Sequence, residues 1–230
     1  MRCGAQVLSA TSENEIAKRA VFLDRDGVIN NYVYTAEFGT VDSPANPEEF
    51  TLMPGAVEAI AQFNRLGFLV LVVSNQPGIA KGRFSNALLQ AMTRKMEDAV
   101  QAGGGKIDGV YYCLHHPQAA LDEYRKACDC RKPAPGMLLQ ASAESNVDLK
   151  KSYMVGDGIV DILAGQAAGT TTIFISPRKN YVCEELSRQG AEPNYWTGGL
   201  LEAAQLVHNL EMGERATATS PGGTRIGGSR

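Results

Sequence analysis

Short apolar runs alternate along this chain with stretches of helical period. The runs, at residues 20–23, 68–73, 110–113, 153–155 and 172–175, are too brief for helices and read as buried strands. Two helical patterns between them are well punctuated. Residues 54–66 open at Pro54 and stop at Gly67, and residues 85–102 bring Leu88, Leu89, Met92, Met96 and Val100 to one face. Such alternation predicts an α/β fold, a mainly parallel sheet flanked by helices. The apolar stripes speak for core packing and carry no chemistry. Residues 31–50 (NYVYTAEFGTVDSPANPEEF) show no clear period and are long for an idle connection, so they are expected to form a loop over the site.

Composition narrows the picture. With 230 residues, 44% of them hydrophobic, the chain can bury one substantial core, expected over residues 20–212. The segments 1–19 and 213–230 are poor in large apolar residues and are expected to be flexible. A net charge of -3 argues against nucleic acid or anionic lipid as partners, since both require basic surface. No run approaches the roughly 20 apolar residues of a membrane span, and the first 19 residues lack the apolar core of a signal peptide. A cytoplasmic monomer is expected.

Four motifs carry the candidate chemistry. Val21, Phe22 and Leu23 lead into Asp24-Arg25-Asp26-Gly27, so a buried strand delivers two carboxylates at its carboxyl end. In open parallel sheets ligands bind at that edge. Two acids one residue apart can divide the work, one attacking or holding metal, the other moving protons. The run at 68–73 ends in Ser74-Asn75-Gln76-Pro77-Gly78, where a hydroxyl, two amides and backbone N–H groups can hold phosphate oxygens. Arg131 and Lys132 place two cations just before a helix expected to open at Pro135-Gly136. Tyr153-Met154-Val155-Gly156-Asp157 is a further strand ending in an acid, with Asp161 one helical turn later. Taken singly, each reads equally well as a turn or a solvated charge pair; their order and shared placement at strand ends argue for one site.

In that order the motifs resemble the haloacid dehalogenase superfamily of phosphotransferases over residues 20–210. The phrases FLDRDGVIN, VVSNQPGIAKGRF, YYCLHHP, CDCRKPAPGMLL and SYMVGD are most similar to the heptose 1,7-bisphosphate 7-phosphatases and their histidinol-phosphatase relatives. The resemblance implies a Rossmann-like fold and a Mg2+-dependent phosphatase in which Asp24 attacks phosphorus and Asp26 serves as acid and then base. It implies Mg2+ held by Asp24, Asp157 and the backbone carbonyl of Asp26, with Asp161 behind them. Lys132 would neutralise the nucleophile, Ser74 would bond a phosphoryl oxygen, and Asn75, Gln76 and Arg131 would face a small phosphorylated metabolite such as a sugar phosphate. The intervals between motifs are too short for a large cap domain. At Gly158 the chain departs from the family pattern, which carries Lys or Arg there, so a contact to a second phosphate is expected to be missing. The intact set of motif residues weighs against a merely binding, non-catalytic version of the fold.

Five cysteines are present, three of them crowded with two histidines: Cys113-Leu114-His115-His116, then Cys128-Asp129-Cys130. This grouping suits a metal better than a disulfide framework. Three thiolates and one imidazole make a closed tetrahedral set for structural Zn2+, with His116 as the alternative to His115. The resembling phosphatases carry the same pattern, which implies a zinc loop through Cys113, His115, Cys128 and Cys130 that braces Arg131 and Lys132. Cys3 and Cys183 have no evident partners in the sequence.

Overall fold

The computed structural model describes residues 17–37, 39–176 and 180–213. Strand β1 (Arg19–Leu23) lies at the centre of a six-stranded sheet, with β4 (Phe68–Asn75) on one side and β6 (Tyr153–Gly156) on the other. Two further elements, β2 (Val33–Thr35) and β3 (Thr40–Asp42), form a separate antiparallel hairpin. Beyond β4 the sheet ends at β5 (Gly109–Cys113); beyond β6 come β7 (Thr171–Ile175) and β8 (Tyr195–Thr197). Every adjacent pair in the large sheet is parallel.

Among the described residues six α-helices cover the sheet: α1 (Ala56–Arg65), α2 (Asn86–Ala102), α3 (Gly136–Ser145), α4 (Ile159–Ala168), α5 (Asn180–Arg188) and α6 (Leu200–Glu211). Side chains alternate across a strand, so the two faces of β1 feed separate cores. Val21 and Leu23 join Val70, Val72 and Val155 beneath residues of α1, α2 and α6, while Ala20 and Phe22 join Leu71, Val73 and Met154 against Met137, Leu138 and Ala164. Burial on both faces explains why these strands are continuously apolar and not alternating.

The expected α/β architecture is what the chain adopts, and the described residues include no large cap. The segment 31–50 contributes only the β2–β3 hairpin, which periodicity did not foretell because its strands are three residues long. The short strand β8 was likewise unforeseen. Helix α1 starts at Ala56, after Gly55 turns the chain in the left-handed region (φ 77°), and not at Pro54. In α2 the stripe is Leu89, Met92, Met96 and Val100; Leu88, in the first turn after the Ser85 cap, is 36% exposed and belongs to the outer face. Lys18 already bridges to Val147 and β1 begins at Arg19. Residues 1–16, Cys3 included, and residues 214–230 lie outside the described residues.

Candidate active site

The site forms where β1, β4 and β6 end side by side. The backbone N–H of Asp24 donates to Val155 O at 3.0 Å, locking the end of β1 to that of β6. Gly27 then turns the chain at φ 82°, and a Cβ there would stand 2.1 Å from Asp157 Oδ2. Glycine is needed for the backbone conformation and for the closeness of Asp157 alike.

Lys132 is the electrostatic centre. Its ammonium lies 3.0 Å from Asp24 Oδ1, 2.5 Å from Asp161 Oδ1 and donates to Val73 O at 2.8 Å. Lys132 and Asp161 are buried, and Asp24 is partly open. Asn75 fixes the backbone that carries this cation: its Oδ1 accepts from Lys132 N–H and its Nδ2 donates to Lys132 O, each at 3.0 Å. The amide expected to face substrate is thus engaged at both ends with Lys132.

Carboxylate oxygens of Asp24, Asp157 and Asp161 lie within 4.8 Å of one another. Burial and the charges of Asp24 and Asp161 push Asp157 up to about 8. One ammonium does not balance three carboxylates, and an all-oxygen, anionic donor set suits a hard divalent cation such as Mg2+. The Tyr32 hydroxyl, from the loop after Gly27, donates to Asp157 Oδ2 at 3.1 Å.

Asp26 faces a different environment. Oδ1 accepts from Arg25 Nε (3.0 Å), Arg25 Nη2 (2.9 Å) and Asn30 Nδ2 (2.9 Å); Oδ2 accepts from Gln76 Nε2 at 2.7 Å and Arg25 Nη2 at 3.2 Å. Gln76 is buried, and its Nε2 also donates to Ser74 Oγ at 3.2 Å. Arg25, Asn30 and Tyr32 were not singled out in the sequence. A charged residue between two motif acids reads as solvated, and only the fold reveals that Arg25 is fully buried.

The second cluster lies at the end of β5. The Cys130 sulfur stands 3.3 Å from that of Cys113 and 3.2 Å from that of Cys128, the Cys113 and Cys128 sulfurs are 3.6 Å apart, and His115 Nδ1 is 3.3 Å from Cys130 Sγ. Ligands about 2.3 Å from a common ion at tetrahedral angles sit roughly 3.7 Å apart, so the set is close to a metal cage. All three cysteines are free. His116 points elsewhere, with Nδ1 accepting from Gln118 N–H at 3.1 Å. The loop reaches the other site twice: Arg131 donates to His115 O at 3.2 Å, and Gln76 N–H donates to Cys113 O at 2.8 Å. At Gly136 a Cβ would meet Asp129 O at 2.2 Å, so the loop can close only against glycine at the start of α3.

A model of the haloacid dehalogenase-like hydrolases matches residues 40–169, a range that includes Ser74, Lys132, Asp157 and Asp161. The chain belongs to this family. Within the family it is similar to D-glycero-beta-D-manno-heptose-1,7-bisphosphate 7-phosphatases. It is 41% identical to the protein of Escherichia coli (strain K12) over 154 residues, 66% of this chain and 76% of that one. It is 36% identical to that of Pasteurella multocida (strain Pm70) over 195 residues, 84% of this chain and 99% of the relative. Among solved structures, D,D-heptose 1,7-bisphosphate phosphatase from B. bronchiseptica, complexed with magnesium and phosphate, superposes with a TM-score of 0.69 at 29% identity, covering 84% of this chain and 99% of that one. The expected hydrolase of this superfamily, and its phosphatase relatives, are borne out. Among the described residues no helix is long and apolar enough to cross a membrane.

Proposed function

We propose that this hydrolase removes the 7-phosphate of a heptose 1,7-bisphosphate, using Asp24 as nucleophile. The observation that carries the reading is the Lys132 ammonium set between Asp24 and Asp161 beside Asp157, at the strand ends, in a chain 36–43% identical to heptose bisphosphate phosphatases. Asp24 and Asp157 would hold Mg2+ with the Asp26 carbonyl, Asp161 acting from behind through Lys132. When bound, the cation offsets repulsion between the carboxylate and the incoming phosphate.

A carboxylate oxygen of Asp24 bonds to phosphorus as the bond from phosphorus to the ester oxygen breaks, and a proton from Asp26 goes to that oxygen. Water then attacks the phosphorus of the acyl phosphate and surrenders a proton to Asp26, while the Asp24 oxygen departs and inorganic phosphate is released. One hard hydrolysis becomes two displacements. Lys132 offsets the negative charge of Asp24 from 3.0 Å, and Ser74 Oγ donates to a phosphoryl oxygen; such fixed charges and dipoles usually supply most of the rate in phosphoryl transfer. Arg131 is assigned to meet the sugar. Zn2+ is assigned to Cys113, His115, Cys128 and Cys130 and supplies a structural cross-link.

The folded unit is taken as residues 20–212, acting in the cytoplasm as a monomer on a lipopolysaccharide sugar precursor. Light scattering on the purified chain, expected near 24.6 kDa, tests the oligomeric state. The decisive assay is phosphate release with Mg2+ from heptose 1,7-bisphosphate, histidinol phosphate and hexose phosphates, with Asp24→Asn as control. A preference for the heptose bisphosphate, lost in Asp24→Asn, is expected. Preference for histidinol phosphate would overturn the substrate, and full activity in Asp24→Asn would overturn the chemistry.

A further inference from the structure

The Lys132 ammonium meets two of the three clustered acids, Asp24 and Asp161, and leaves the third without a cation among the described residues. Asp157 is held instead by a phenol. Its Oδ2 accepts from the Tyr32 hydroxyl at 3.1 Å, the one hydrogen bond to another side chain that Asp157 makes among the described residues. The two groups meet in a gap that a glycine leaves open: a Cβ at Gly27 would stand 2.1 Å from Asp157 Oδ2 and 2.7 Å from Tyr32 Cε2. Any side chain at that turn would part them.

Tyr32 is tied down on both sides. Before it, Asn31 donates its backbone N–H to Thr51 O at 2.9 Å and Nδ2 to Leu52 O at 3.1 Å. After it the chain enters β2, which pairs with β3, and Asp42 of β3 forms an ion pair with Arg83 in the loop that follows β4. The tyrosine is 43% exposed, so water could satisfy its hydroxyl and core packing alone does not demand the bond to Asp157. A carboxylate turns easily about its last bond and serves well as a metal ligand when a neighbour fixes its orientation. We propose that Tyr32 is a positioning residue that, through its hydroxyl, sets the Asp157 carboxylate for the divalent cation. The inference rests on the reading above that Asp157 holds Mg2+. A phenol suits the task because it donates without bringing a charge, so it does not repel the cation as a second ammonium would.

The test is Tyr32→Phe in the full chain, which keeps the ring beside Gly27 and removes the hydroxyl. Mg2+ binding is measured by titration calorimetry and by the gain in thermal midpoint on adding Mg2+. The dissociation constant is expected to rise about tenfold, with a correspondingly smaller midpoint gain and a metal-free midpoint close to that of the parent. The Mg2+ concentration that gives half-maximal phosphate release from heptose 1,7-bisphosphate should rise with it. Unchanged Mg2+ affinity overturns the proposal. A lower metal-free midpoint with the Mg2+-dependent gain intact also overturns it, by making the hydroxyl a contact for folding alone. A raised KM at saturating Mg2+, with Mg2+ affinity unchanged, would give Tyr32 to the substrate instead and overturn it as well. Asp157→Ala separates the two levels: if it loses Mg2+ binding and Tyr32→Phe does not, only the role of Tyr32 is wrong, whereas unchanged affinity in Asp157→Ala removes the metal reading and the proposal with it.

Discussion

The Lys132 ammonium stands 2.5 Å from Asp161 Oδ1, and both side chains are about 1% exposed. Such a pair is worth little as a source of stability, because desolvation of both charges offsets their attraction. Breaking it is another matter, since the surviving charge remains buried and unmatched.

Lys132→Met is therefore expected to lose activity and about 3–5 kcal/mol of stability, as Asp161 and Asp24 lose their shared cation. Urea denaturation and phosphate release measure the two effects. A variant as stable as the parent would show that the ammonium contributes no balance to these acids. Burial and the Asp24 charge raise Asp161, and Lys132 opposes that rise, so Lys132→Met also drives Asp161 toward its protonated form.

The acid triad predicts a link between pH and metal. Folded Asp157 keeps its proton up to about 8, against an ordinary value of 3.8. Between those values the folded state binds more protons than the unfolded one, so the metal-free protein loses stability as pH rises through the window and levels off above it. A cation needs the carboxylate form, hence Mg2+ affinity should climb by up to about tenfold per pH unit below 8 and flatten beyond. Mg2+ titrations followed by thermal midpoint at pH 6, 7, 8 and 9 measure this; a profile flat from 6 to 8 contradicts it.

Much of this arrangement was legible in the chain because its signals are local. A doubly buried strand must be apolar throughout, so the run ending at Leu23 announced both the strand and the place where Asp24 would emerge. Asp157 followed from the same logic, and Lys132 from its place before the helix that opens near Pro135-Gly136. Arg25 was hidden, because burying a guanidinium depends on Asp26, Gln76, Phe50 and Tyr112, which meet only in three dimensions. The bracing role of Asn75 was hidden for a related reason: an amide after a strand shows nothing of the Lys132 backbone that meets both its ends in the fold. Strands of three residues, as in the hairpin and β8, leave too few alternations to register.

The cysteine cluster predicts that structure and activity fall together. Burial pushes the Cys113 thiol well up, so a metal must displace its proton and binding should weaken as pH falls. Exhaustive chelation followed by excess Mg2+ should leave the thermal midpoint at least about 4 °C lower, equivalent to roughly 1–2 kcal/mol for a chain of this size, with turnover reduced and both restored by Zn2+. Cys130→Ser should behave like the chelated protein. Unchanged turnover in metal-free enzyme would mean that the contact of Arg131 with His115 O does not depend on the cage.

Gly158 allows a direct test of substrate choice. Its backbone, at φ -110° and ψ 150°, is open to any residue, so no conformational need for glycine stands there. A Cβ would lie 3.1 Å from Asp161 Oδ2, close enough to require a shift of a few tenths of an ångström but not a rearrangement. The Gly158 N–H that caps Asp161 at 2.9 Å is kept in any replacement but proline. Gly158→Lys adds a cation beside the mouth, where the resembling phosphatases carry Lys or Arg. A charge-assisted bond to phosphate is worth about 1.5 kcal/mol or more, so KM for heptose 1,7-bisphosphate should fall by roughly tenfold, with KM for the 7-monophosphate little changed. Equal effects on both substrates would mean that the added charge attracts phosphates in general and that the position does not read the second phosphate. A raised KM for the bisphosphate would place the cost at Asp161 and mark glycine here as a demand of the Lys132–Asp161 pair.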